Sequence, residues 1–180
     1  MAVREQKYVI IDGRLNKESE IESSLWALQD TRRRTISELI GLTPAVIDWL
    51  PPNDESSIGT VLYHLALIEA DWLCEEVLEQ EFPQQILPLF LHEHRDQKGH
   101  LTQLKGLSLE QHLERLETVR GLLMEAFQPM SLKEFRRIRQ LANYDVTPEW
   151  VLHHLMQHEA EHRSQIGSLR AAAERQPAAG

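Results

Sequence analysis

The chain has 180 residues and a mass of 20.9 kDa, which at about 150 residues per domain leaves room for one folded domain. Hydrophobic residues make up 42% and charged residues 26%, proportions that support a packed core and exclude disorder as the default state. With 28 acidic against 19 basic residues the net charge is -9, which disfavours any partner held through phosphates, so nucleic acid is not an expected ligand.

The opening segment, MAVREQKYVIIDGR, carries an apolar run of only Val9 to Ile11, too short for a signal peptide. No stretch approaches the roughly 20 apolar residues of a membrane span. The single cysteine, Cys74, cannot close an intrachain disulfide, so nothing calls for an oxidising compartment. The expectation is a soluble cytoplasmic protein with no membrane partner. Residues 1–17 are expected to form an N-terminal extension, 18–175 the folded domain and 176–180 a flexible tail.

Beyond the short run near Tyr8 the sequence shows no sustained period-two alternation, so the expected fold class is all-α. A first helix runs from Glu18 to about Ile40, with Ile21, Leu25, Leu28, Ile36, Leu39 and Ile40 at helical steps and the basic run Arg32, Arg33, Arg34 interrupting them. TPAVIDWLPPNDE, with three prolines, reads as a connection. A second helix opens at Ser56 or Ser57 and reaches about Gln80. Its inward stripe holds Ile58, Val61, Leu65, Ile68 and Trp72, and His64 shares that stripe.

From Phe82 to Leu107 the periodicity fails, leaving a loop of a length that marks function or mobility. Ser108 with Gln111 is a capping box for a third helix carrying Leu109, Leu113, Leu116, Val119, Leu123 and Phe127, which stops at Pro129. Ser131 with Glu134 opens a short basic segment, and Thr147 with Pro148 opens a fourth helix that reaches about Arg175. Four amphipathic helices with a long loop between the second and third indicate a four-helix bundle.

Nine histidines are present, four of them in the fourth helix: His153, His154, His158 and His162. His158 and His162 lie on one helical face with Cβ atoms about 5–6 Å apart, a separation from which two imidazoles can converge on one metal ion. An inward His64 without a partner would leave ring nitrogens unsatisfied, and a metal shared with that pair would satisfy all three. Three neutral imidazoles suit zinc, nickel, copper or iron and leave the open fourth position of catalytic zinc. Such a metal opens two chemistries, hydrolysis and thiol activation. The plainer alternative makes His64 a hydrogen-bonded core residue and the others ordinary helix residues.

His92, His94 and His100 in the polar loop and His112 on a helix flank read as solvated surface residues. Glu159 and Glu161 flank the histidine stripe on opposite sides and read as solvated charges, with a role as acceptors for an imidazole N–H as the alternative. HEAEH, from His158 to His162, matches H-E-x-x-H, but only 18 residues follow His162 and Gln165 stands where the metzincin extension has glycine. Glu159 with His162 also matches the E-x-x-H of di-iron bundles, yet Val61 stands where a glutamate paired with His64 belongs. Cys74 reads as a core thiol, and no catalytic residue is assigned from motifs.

The stretches SIGTVLYHLALIEADWL and TPEWVLHHLMQHEAEHRSQI resemble the DinB-like (damage-inducible) metal-binding four-helix bundles, a resemblance that covers about Glu18 to Arg170. Carried over residue by residue, it implies that His64, His158 and His162 are the metal ligands and that His154 is not. Where the family commonly reads His-Arg-Gly-Gln from the last histidine, Ser164 replaces the glycine while Arg163 and Gln165 remain. The resemblance further implies up-down-down-up topology, one divalent transition metal such as zinc or nickel, a small-molecule substrate and a homodimer. Characterised members include transferases that join thiols such as bacillithiol or mycothiol to electrophiles, and a thiol-using maleylpyruvate isomerase. The function so implied is thiol-dependent S-transfer, with a metal-dependent hydrolase or a non-catalytic, stress-associated metal-binding protein as alternatives.

Overall fold

The computed structural model describes residues 11, 13–52, 56–97 and 99–176. The run at Val9, most of the segment 1–17 and the tail past Gln176 lie outside the described residues. The protein is mostly helical: α1 (Ser19–Leu39), α2 (Pro44–Ile47), α3 (Ile58–Trp72), a π-helical continuation (Leu73–Val77), a 3-10 turn (Leu87–Leu89), α4 (Leu109–Phe127), α5 (Leu132–Phe135) and α6 (Pro148–Glu174). Two short antiparallel strands, β1 (Arg139–Gln140) and β2 (Asp145–Val146), pair Arg139 with Val146 ahead of α6. Among the described residues no helix is long and apolar enough to cross a membrane.

Helix starts follow from side chains that satisfy the free amides of a first turn. Ser57, rather than Ser56, caps α3 by accepting from the Thr60 amide at 3.1 Å. Ser108 and Gln111 form the expected reciprocal box on α4, and Thr147 accepts from the Trp150 amide at the start of α6. Two segments depart from expectation. Within the proline-rich connection Thr43 caps the one-turn α2, with Pro44 at its first position, where a missing N–H costs nothing. The second long helix is α-helical only to Trp72; its last turn widens into a π turn that buries Leu73, Cys74, Glu76 and Val77. Arg139, itself 2% exposed, donates from Nε and Nη2 to the Val77 carbonyl and ties off that turn.

The four long helices meet at a layer of buried charge. Arg32 of α1, Glu69 of α3, Arg120 of α4 and Glu159 of α6 are each at most 6% exposed. Arg32 binds Glu69 at 2.7 Å and Glu159 at 2.8 Å; Arg120 binds Glu69 at 2.6 Å and Glu159 at 2.9 Å. Further guanidinium protons go to the Leu116 and Leu28 carbonyls at 2.9 and 3.1 Å and to Gln29 Oε1 at 3.3 Å. Burial raises the Glu69 carboxyl pKa, but Arg120 and then Arg32 outweigh it and hold the group below the ordinary value. Two expectations are thereby corrected. Glu159 is no solvated charge, and Arg32 does not interrupt the core stripe of α1 but belongs to it.

This layer divides the apolar core. On one side pack Ile21, Leu25 and Leu28 with Leu73, Leu123, Phe127 and Leu155. On the other pack Leu39, Val61, Leu65, Leu116, Ile166 and Leu169. A third, smaller group of Ala70, Ile86 and Val119, with Phe82, Leu89 and Phe90 against it, seats the first half of the loop before α4.

Removing one partner from such a layer leaves an uncompensated buried charge, which costs about 3–5 kcal/mol. Arg120→Met is therefore expected to lower unfolding free energy by about that amount in urea denaturation. Arg33→Ala, which removes a solvent-exposed ion pair with Asp30, should change it by less than about 0.5 kcal/mol. Equal effects from the two variants would mean that the layer is not a structural element.

Candidate metal centre

His64, at the middle of α3, is 6% exposed, whereas His158 and His162 of α6 are half-buried. Helical spacing puts the α6 pair on one face opposite α3, and the three rings close on one another. Ring centroids lie 5.0 Å apart for His64 with His158, 5.0 Å for His64 with His162 and 4.5 Å for His158 with His162. One ring nitrogen from each falls within 4.8 Å of the others, and His64 Nε2 is 3.1 Å from His158 Nε2. Among the described residues this is the group of three metal-binding side chains that comes together.

The donor set fits a metal. Two nitrogens at 2.0–2.1 Å from a tetrahedral ion are separated by about 3.3 Å, close to the spacing of the two Nε2 atoms. Burial, and then the neighbouring His162, push the pKa of His64 down to about 3; burial, His162 and His64 do the same to His158. Both rings are neutral at pH 7, the form that carries a free lone pair. His162 Nδ1–H donates to Gln165 Oε1 at 2.8 Å, which places its lone pair on Nε2. His64 Nδ1 is buried with no hydrogen-bond partner, a polar atom that the protein does not itself satisfy.

Two surfaces flank the centre. Along α6, His154 stacks on Trp150 at 5.0 Å, lies 4.4 Å from Trp72 and reaches His158 at 5.8 Å. These indoles, with Ile138, Tyr144 and Val146, wall a cleft of about 590 Å³. On the loop side, His94 is half-buried, with its ring 6.5 Å from that of His64, so it is not the solvated surface residue expected from its polar neighbours. His92 is exposed and His100 half-buried, both away from the three-ring group.

His112 also departs from expectation, being 1% exposed. It sits on the α4 stripe four residues before Leu116, and it fits because Gly59 has no side chain: a Cβ there would lie 3.1 Å from His112 Nε2. Burial and then Arg115 lower its pKa to about 4.

Over residues 27–166 the sequence matches the DinB superfamily. The chain belongs to this superfamily. No curated protein matches it. The DinB match spans most of α1 through to Ile166 and so contains all three clustered histidines and all four residues of the charged layer.

Three histidines with lowered pKa, His64, His112 and His158, make the metal-free protein acid-sensitive. The unfolded chain takes up these protons near pH 6.5, whereas the folded chain resists until about 3 for His64 and His158 and about 4 for His112. In that window the unfolded state binds more protons, so stability rises with pH and is lost as pH falls below about 6.5. Melting temperature of the metal-free protein should drop from about pH 7 to pH 5, and His112→Gln should flatten that slope. A melting temperature independent of pH over this range would show that the rings are not held neutral.

Proposed function

We propose that this chain is a metal-dependent enzyme that joins a low-molecular-weight thiol to an electrophilic small molecule at His64, His158 and His162. We read its domain as residues 18–175 and its fold as an up-down-down-up four-helix bundle. The direction in which each helix crosses the charged layer supports that topology: α1 and α6 pass from the first core group to the second, α3 and α4 from the second to the first.

The observation that carries the function is a cluster of three imidazoles, one short of a tetrahedral set, with a small-molecule-sized cleft reached from it through the His154 ring. Zinc or nickel held there would supply Lewis acidity that lowers the pKa of a coordinating thiol. The protein's residues do the rest. His64, His158 and His162 hold the ion, Gln165 sets the tautomer of His162, and the Glu159 ion pairs fix the rotation of α6 about its axis. Leu65 and Val61, both buried, exclude water behind His64. The walls of Trp72, Tyr144 and Trp150 suit an electrophile with an apolar body.

The chain's own sulfur does not serve as the nucleophile. Cys74 is 2% exposed, and burial, then Asp71, push its pKa up to about 11, so it stays a thiol at neutral pH. The reacting thiol has to be a cosubstrate.

The test loads the protein with zinc or nickel and follows free-thiol loss against a panel of small thiols with aryl halides and epoxides. A protein-dependent rate is expected, falling by a factor on the order of 10² or more in His158→Ala. A metal-loaded protein that consumes no thiol with any pair would instead be a non-catalytic metal binder.

A further inference from the structure

We propose that His94, carried on the loop before α4, is a fourth protein ligand of the metal centre, closing it from the loop side in the resting state. The inference rests on the reading of His64, His158 and His162 as a metal site, and it adds a residue from outside the long helices. An incoming thiol would then have to displace His94 from the ion.

Position is the first argument. The His94 ring centroid is 6.5 Å from that of His64, while the clustered rings are 4.5 to 5.0 Å apart, so His94 stands about 1.5 Å outside ligand spacing. Its half-buried ring is the one in the loop that faces the site; His92 is exposed and His100 belongs to a turn with Asp96.

The loop is held close to the site. Tyr63, the residue before His64, donates its hydroxyl proton to the His92 carbonyl at 2.6 Å and accepts from the His92 amide at 3.1 Å. Its ring packs edge-on against Phe90 at 5.8 Å. Beyond His94, the Thr102 amide donates to the His94 carbonyl at 3.2 Å, and Arg95 bridges to Leu101. The backbone is thus pinned on both sides of His94, and one pin comes from the residue adjoining a ligand. The short approach that remains falls to the His94 side chain and to Glu93, the one residue between the clamp and it. That leaves little conformational entropy to lose on closure.

A ligating histidine almost always turns its other ring N–H to a carboxylate or carbonyl. Asp71, two turns after His64 on the same face of α3, shares with His94 the wall of a cleft of about 260 Å³. With Asp71 as acceptor, His94 would complete four imidazole nitrogen donors, a set that suits tetrahedral zinc.

Zinc affinity is measured by competition with a chromophoric chelator, and the number of coordinating imidazoles by zinc-edge X-ray absorption, for the full chain and for His94→Ala, Tyr63→Phe and His100→Ala. Every variant should bind zinc. His94→Ala should weaken binding by at least about tenfold and reduce the coordinating imidazoles from four to three. Tyr63→Phe should weaken binding by a smaller factor while the imidazole count stays at four, and His100→Ala should match wild type. A wild type that binds zinc through three imidazoles, with unchanged affinity in His94→Ala, overturns the role of His94 alone. A wild type that binds no zinc overturns the three-histidine site and His94 together.

Discussion

Two guanidinium groups and two carboxylates, one from each long helix, are buried together at the centre of this protein and must find one another. A hydrophobic contact tolerates sliding and rotation, whereas a charge removed from water tolerates neither. Each helix is consequently fixed in height and in rotation at one level. The sum of the four charges is zero, and backbone carbonyls of α1 and α4 take further guanidinium protons, so the layer is internally satisfied.

The three-histidine cluster inherits its geometry from that level. Glu159 immediately follows His158, and Glu69 lies five residues beyond His64 on α3, so each helix that carries a histidine is anchored within about a turn and a half of it. Because the layer is neutral, it adds little field to the adjoining rings. Burial dominates the lowered pKa of His64 and His158, although Glu69 pulls that of His158 in the opposite sense. The same anchoring leaves the flanks free to differ in character: an indole-walled cleft along α6 and a polar, clamped loop beside α3.

Much of this is legible in the sequence, and the exceptions have physical causes. Ser57, Ser108 and Thr147 announce their helices because a cap is a local contact, spanning three residues. His64 can be placed inward from Val61 and Ile68 alone, and the spacing of His158 and His162 is that of a helix face. The charged layer is harder to see, because charges read as breaks in an apolar stripe. Yet Arg32, Glu69, Arg120 and Glu159 each lie four residues after a buried leucine, Leu28, Leu65, Leu116 and Leu155. Equal numbers of both signs in core register are the signal that reveals such a layer. His112 carries the same signal in weaker form, four before Leu116. Thr43 with Pro44 repeats the cap-and-proline pairing of Thr147 with Pro148, masked by the prolines that follow. The π turn has no counterpart in residue type, and the placing of His94 depends on contacts such as Tyr63 with His92, 29 residues apart.

The central claim is that three imidazoles on α3 and α6 form one metal site. Elemental analysis of protein purified without a metal-binding tag, for wild type and a His158→Ala, His162→Ala double variant, tests it most directly. About one transition-metal ion per chain in the wild type, lost in the double variant, is the predicted result. A wild type that stays metal-free after incubation with zinc and with nickel, or a double variant that retains its metal, would contradict the account.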